Sequence, residues 1–259
     1  LLSLVGTQVI PAIENTEAGA STNSFAMATH TGSAPVGGLG PLRLGEDGRL
    51  YLVSKSEHYH ASMGHGFPGY GLLENAAMLG VNNATHNNTR GYITRLHERE
   101  LIRIVNGLDK ADQKTLDQVI KSREHKVLNR IINLQTGSLA ADAGIKMMLA
   151  RFYRLDGTYG QPVYHGRIPV FFVIGDYEGG SMANYHGTDM MAQTLRGMWP
   201  DWYAKAENAG LYKVCPVSIN DVDDFKEKME TYNRPPYKTA GFIHEIILMN
   251  YGVIKLEKT

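Results

Sequence analysis

The sequence of 259 residues is short of cysteine, of net charge and of long apolar runs, and each shortage excludes a class of protein. A single cysteine, Cys215, forbids an intrachain disulfide framework and any cysteine-rich zinc module, and it fits a reducing compartment. The 26 Lys and Arg balance the 26 Asp and Glu, so the formal net charge is zero. A neutral chain lacks the cation excess by which general nucleic-acid binders neutralise phosphates, so no nucleic-acid partner is expected. No stretch reaches the ~18 consecutive apolar residues of a membrane helix, and no membrane association is expected. Leu1 to Ile13 is apolar, but it has no basic leader and Pro11 interrupts it, so it does not read as a signal peptide. The expected location is cytoplasmic. Internal repeats and low-complexity tracts are lacking as well.

What is present is ordinary globular composition with extra glycine, 28 residues, which implies many tight turns or backbone brought close to ligands. Residues 14 to 42, rich in Gly, Ala, Ser and Thr, read as an irregular arm. A turn at Gly45 to Arg49 leads into a short strand, Leu50 to Val53. Helices are expected over Leu72–Leu79, over 94–107 with Thr94 as cap, and over Asp109–Lys121. Val127 to Leu134 reads as a strand. A long helix follows from about Leu139 to Tyr153, with Ala141, Ile145, Met148, Leu149 and Phe152 on one stripe. Pro169 to Ile174 is a continuous apolar run of the length of a buried strand. Then come a helix over Thr188–Leu195, a strand over Tyr212–Val217, a charged helix over Asp221–Tyr232 and a buried strand over Ala240–Leu248. Alternating strands and helices with short connections predict an α/β fold with a mostly parallel sheet.

Four places offer chemistry. Thr136-Gly137-Ser138 stands where a helix begins, so hydroxyls, free amides and the positive helix end would make a phosphate cradle; an ordinary turn capped by Ser138 explains the same residues. Neither a Walker A loop nor a dinucleotide fingerprint is present. Asn184-Tyr185-His186-Gly187 sets an aromatic ring and an imidazole beside flexible backbone, suited to stacking on a planar ligand or to plain packing. Glu245 lies in the apolar run 241–248, where a carboxylate must be paired, hydrogen-bonded or shifted in pKa. Glu57, His58 and His60, with His65 nearby, suggest two imidazoles on one strand face, but no third metal ligand is set by spacing. Cys215 before Pro216 reads as a buried structural thiol.

Taken in order, these fragments resemble one family, the class III (ω-amino, ornithine-type) aminotransferases of the fold-type I pyridoxal-phosphate enzymes. Asp47-Gly48-Arg49-Leu50-Tyr51-Leu52 is similar to the family's opening DG-x-x-Y-L-D strand, and Gly64-His65 with Pro68 to its GH-x-x-P turn. Thr136 to Lys146 is similar to the helix start SG-[ST]-EA-x-E-A-A-x-K. Asn184 to Gly187 corresponds to YHG, and Gly241 to Val253 to E-P-x-x-x-E-x-G-V. The resemblance spans 47 to 259.

It implies fold type I: a mostly parallel sheet flanked by helices, with a small α+β domain. Residues 1–105 would form the N-terminal arm and part of the small domain, and 106–259 the first part of the large cofactor domain. It implies pyridoxal 5'-phosphate as cofactor. Thr136, Gly137 and Ser138 would hold its phosphate, Tyr185 would stack on the ring with His186 beside it, and Glu245 would sit at the ring edge. Lys146 matches a structural lysine. The Schiff-base lysine is expected beyond Thr259, so that this stretch is a C-terminally truncated piece without activity of its own. The partners implied are an amino donor, a 2-oxo acid acceptor and a second copy in a homodimer. Leu139 and Ile246 stand where the family carries Glu and Pro, and Asn250 stands where it often carries a second Glu; Asn cannot form that Glu's ion pair, so the ornithine-type substrate gate is not expected. A racemase or aminomutase on the same scaffold, and a metal-dependent hydrolase using His58 and His60, are the alternatives.

Overall fold

The computed structural model describes residues 1–13, 35–53, 63–81, 91–176, 180, 187–248 and 254–257. The chain forms two compact units, Leu1–Asn83 and Ala84–Thr259.

In the first unit, strands β1 (Pro35–Leu39), β2 (Leu42–Gly45) and β3 (Leu50–Leu52) form an antiparallel meander, with Leu39 opposite Leu42 and Arg43 opposite Tyr51. The expected arm 14–42 is therefore part strand; its stretch 14–34 lies outside the described residues. The N-terminal segment adds to the β3 side: the Gly6 amide donates to the Leu50 carbonyl at 2.7 Å and the Leu50 amide to Thr7 at 3.1 Å. Tyr51 donates its hydroxyl to Asp47 across the turn at 2.5 Å, which raises the phenol pKa. Helix α1 (Gly71–Met78) follows Pro68-Gly69 as expected and ends before Gly80, whose φ is +68°.

The second unit opens with helices α2 (Tyr92–Val105) and α3 (Gln113–Lys121), which bury Ile102 and Leu116. Helix α2 starts two residues before the expected Thr94, at an extended Gly91, and Thr94 does not cap it. Asp112 caps α3 by accepting from the Thr115 amide at 3.0 Å. Arg99 of α2 joins α3 through Asp117 at 2.7 Å and Gln113 at 2.9 Å.

The strand expected over Val127–Leu134 does not form. Its apolar residues fall in adjacent pairs, Val127-Leu128 and Ile131-Ile132, rather than in alternation, and no strand among the described residues runs beside it. Polar side chains take up backbone groups instead: Asn129 donates to the Val119 and Ser122 carbonyls, Arg130 to Ile120, and Asn106 to the Leu128 carbonyl. The segment is thus laced irregularly to α2 and α3.

Helix α4 (Gly137–Leu149) leads to the parallel sheet of β4 (Ile168–Ile174), β5 (Lys213–Val217) and β6 (Tyr237–Ile243), in the order β5-β4-β6. The chain is thus mixed α/β with a small parallel sheet flanked by helices. Central β4 has both faces covered, and Val170, Phe171, Phe172 and Val173 are wholly buried. Because strand side chains alternate, Phe171 and Val173 pack with Ile145 of α4, Ala192 of α5 (Met190–Thr194) and Ala206 of α6 (Pro200–Asn208). Val170 and Phe172 pack with Cys215 and Val217 against Phe225 and Met229 of α7 (Val222–Thr231). Helix α6, not expected from the sequence, opens on Pro200 at its first turn.

The outer edge of β5 is closed without a further strand: the Val214 amide donates to the Tyr203 hydroxyl at 2.8 Å. Pro216 has no amide, and its carbonyl accepts from Lys228 at 2.8 Å. The strand expected over 240–248 is broken. Strand β6 ends at Ile243, and β7 (Ile247–Leu248) pairs antiparallel with β8 (Ile254–Lys255). Glu245 therefore sits half-buried in the turn between β6 and β7, not inside a buried strand, and Ile246 beside it is 73% exposed.

Candidate functional site

The expected phosphate cradle is the first turn of α4. Thr136, extended at φ −144°, is the cap rather than Ser138, and its hydroxyl accepts from the Leu139 amide at 3.2 Å. Gly137 and Ser138 are thus the first two helical residues. Their amides have no acceptor within the helix, as geometry requires at a helix start. The Ser138 hydroxyl has no hydrogen-bond partner among the described residues, and Gly137 is exposed with open space where a Cβ would stand. The lead into the turn is anchored by Asn133, which donates to buried Glu98 of α2 at 2.7 Å.

The direction of α4 follows from two contacts. Met148, near its C-terminal end, rests on Gly241 of β6, where a Cβ would lie 2.5 Å from the Met148 sulfur. Asp142, about 9 Å nearer the N-terminus at the helical rise of ~1.5 Å per residue, reaches Thr188, in the chain beyond the carboxyl end of β4. The N-terminus of α4 therefore points toward the carboxyl ends of the strands, where α/β sheets bind ligands.

Asp142 was not singled out by its chemistry in the sequence. It is 5% exposed, and its carboxylate takes both donors of Thr188: the hydroxyl at 2.6 Å and the amide at 3.1 and 3.3 Å. The preceding Gly187 has no room for a side chain. A Cβ there would lie 2.0 Å from the Ala192 Cβ and 2.9 Å from Asp142 Oδ1. Residues 187–188 are thereby fixed to the second turn of α4, one turn from Ser138. A signal for Asp142 existed: it shares helical spacing with Ile145 and Leu149, and an acid on a buried stripe requires donors.

Tyr185 and His186 lie outside the described residues, as do Glu57, His58, His60 and Asn250. Glu245 lies at the carboxyl end of β6, the same end of the sheet as the cradle. Beside it the His244 ring stacks on Phe242 at 4.7 Å, and the Ile246 carbonyl accepts from the Leu256 amide at 3.0 Å. Asp176, directly after β4, closes a small loop by accepting from the Gly180 amide at 2.6 Å. It too stands at this end of the sheet, a position legible as an acid following a buried strand. Lys146 is exposed on α4, away from the buried stripe. Among the described residues no group of three His, Cys, Asp or Glu could hold a metal ion, and no helix is long and apolar enough to cross a membrane.

A hollow of about 430 Å³ runs along β5 and α7, walled by Lys213, Pro216, Lys228 and Tyr232, and of the expected cofactor-binding residues none that is among the described residues lines it. Cys215 borders it, yet is 4% exposed, and burial pushes its thiol pKa up to about 11. It is therefore a protonated, unreactive thiol, in keeping with a structural role. A scan of the chain against protein-family models gives no match, and a search of curated proteins gives none either.

Proposed function

We propose that this chain is the cofactor-binding part of a pyridoxal 5'-phosphate-dependent class III aminotransferase of fold type I, moving an amino group between an amino acid or amine and a 2-oxo acid. The reading rests on the ordered motifs of the sequence. The observation that best supports it is the Asp142–Thr188 clamp, which ties the stretch following Tyr185-His186 to the helix that opens on Gly137-Ser138. Two motifs 46 residues apart in the chain are joined by a buried carboxylate.

The residues present fit a phosphate. Two unpaired amides at a positive helix end and a free hydroxyl at Ser138 complement a dianion. When bound, the pyridoxal ring supplies an electron sink for cleavage at the donor Cα. In this proposal Gly137 and Ser138 hold the phosphate, Tyr185 and His186 cover the ring, Glu245 orients its edge, and Asp142 positions the segment carrying Tyr185. The family's homodimer places the site at a subunit boundary.

Titration with pyridoxal 5'-phosphate, followed by absorbance and protein fluorescence, tests the reading. Saturable binding is expected, with inorganic phosphate competing and with Ser138→Ala and Tyr185→Ala each weakening it. Absence of binding, or equal binding by both variants, would overturn the assignment.

A further inference from the structure

We propose that the amino end of the parallel sheet is a docking surface for an acidic polypeptide segment carrying one bulky apolar residue. The surface is built from the irregular connection 150–167 between α4 and β4 and from the start of β6. It lies at the opposite end of the strands from the cradle and does not depend on the cofactor reading.

The connection carries Arg151, Arg154, His165 and Arg167 against one carboxylate, Asp156. That carboxylate is turned into its own loop, accepting from the Thr158 amide at 2.7 Å and hydroxyl at 2.6 Å. Tyr164 gathers the cations. Its amide donates to the Arg151 carbonyl at 2.8 Å, and its hydroxyl accepts from the Arg151 guanidinium at 2.7 Å. The Arg151 guanidinium lies 4.6 Å from the ring centre, and the Lys238 ammonium of β6 lies 5.2 Å from the same ring. The Tyr164 ring in turn rests on buried Phe152 at 5.3 Å. Arg167 donates to the Tyr237 carbonyl at 3.2 Å, next to Lys238 in the chain.

Several cations elsewhere in the unit are matched by carboxylates. Arg99, Arg103, Lys213 and Lys228 all pair with carboxylates within 2.8 Å. Arg151, Arg154, Arg167 and Lys238 make no ion pair among the described residues. In a chain of zero net charge this is a local segregation of cations. Two cations beside one ring repel each other, and the ring's negative face offsets part of that cost. An arriving carboxylate removes more of it, and planar guanidinium groups suit carboxylates in particular.

Apolar features select a polypeptide over a nucleic acid. A hollow of about 350 Å³ opens in this surface, with Phe152 as floor and Tyr153, Arg154, Asp156, Gln161 and His165 around it. It has the size to take one large side chain. Leu155 and Val163 of the same connection are each 79% exposed. A phosphodiester backbone would leave both unused, whereas a peptide with an apolar anchor between acidic residues uses the cations, the hollow and exposed apolar side chains.

The test is fluorescence anisotropy of the full chain with a short synthetic peptide, a central Phe flanked by Glu and Asp, at low and near-physiological salt. Saturable binding that weakens with salt is expected. It should weaken roughly tenfold in an Arg151→Ala/Lys238→Ala variant and in an Arg154→Glu variant, and with a peptide carrying Ser for Phe. The exposed Arg154 site keeps the test valid if the double variant fails to fold. The proposal is overturned by lack of saturable binding or by unchanged binding in variants of wild-type thermal stability. It is equally overturned if a single-stranded oligonucleotide, or phosphatidylcholine vesicles containing phosphatidylserine, bind as tightly as the peptide.

Discussion

Replacing Asp142 by Ala perturbs the contact on which the candidate site turns. The carboxylate is 5% exposed and accepts the Thr188 hydroxyl at 2.6 Å and its amide at 3.1 Å. Hydrogen bonds to a charged group contribute about 1.5–3 kcal/mol each. Two of them set an upper limit of about 6 kcal/mol. Two effects lower it: Thr188 is exposed and regains water, and the variant no longer desolvates a carboxylate. The expected loss is therefore about 2–3 kcal/mol, or roughly 4–12 °C in Tm for a unit of this size. Thr188→Val removes one donor and should cost about 1 kcal/mol. Denaturant unfolding of both variants and their combination gives the coupling energy, expected at about 1–2 kcal/mol for groups in direct contact. A loss below ~0.5 kcal/mol for Asp142→Ala, or strict additivity in the cycle, would show that the clamp does not hold the segment. If the clamp is real, pyridoxal 5'-phosphate affinity should fall in Asp142→Ala even at temperatures where the variant is folded.

Gly187→Ala forces a methyl to 2.0 Å from the Ala192 Cβ, so the loop must move; a loss of about 1–3 kcal/mol by chemical denaturation is expected, and wild-type stability would refute the packing. Cys215, with its pKa pushed up to about 11 and 4% exposed, should react with an aromatic disulfide reagent only after denaturant is added; rapid labelling of the native protein would contradict this. Asp224 accepts from the Ser218 amide and from Lys228, both at 2.8 Å. Burial works to raise its pKa, but Lys228 and Ser218 outweigh it and hold the carboxyl below its ordinary value. A group with a depressed folded pKa stabilises fully above its unfolded pKa of ~4, and loses that contribution as pH falls through the folded value. The stability gap between wild type and Asp224→Asn should accordingly be widest at neutral pH and narrow under acid unfolding; a gap independent of pH would exclude the pairing.

Reading the sequence succeeded where a local cause was sufficient. The apolar run at 169–174 could be buried only as a strand covered on both faces, and β4 is such a strand. Asp112 and Asp221 accept from amides three residues on, which starts α3 and α7 within a few residues of expectation. The reading failed where a partner had to be known. Residues 127–134 are rich in β-branched and apolar side chains but have no neighbouring strand among the described residues. The run 240–248 is apolar almost throughout, yet β4 accepts β6 only as far as Ile243, and the remainder turns toward β8.

The same division holds for the candidate site. Composition and order determined an α/β chain, a helix opening on Thr136-Gly137-Ser138 and a set of motifs resembling the class III aminotransferases. Tertiary structure alone decided that Asp142 is buried and bonded to Thr188, that Glu245 stands in a turn at a strand end, and that unpaired cations gather around Tyr164. Capping and periodicity act through neighbours in the chain and can be read along it. Clamps between helix and loop, and clusters of like charge, join residues tens of positions apart, and only the packed sheet brings them within bonding distance.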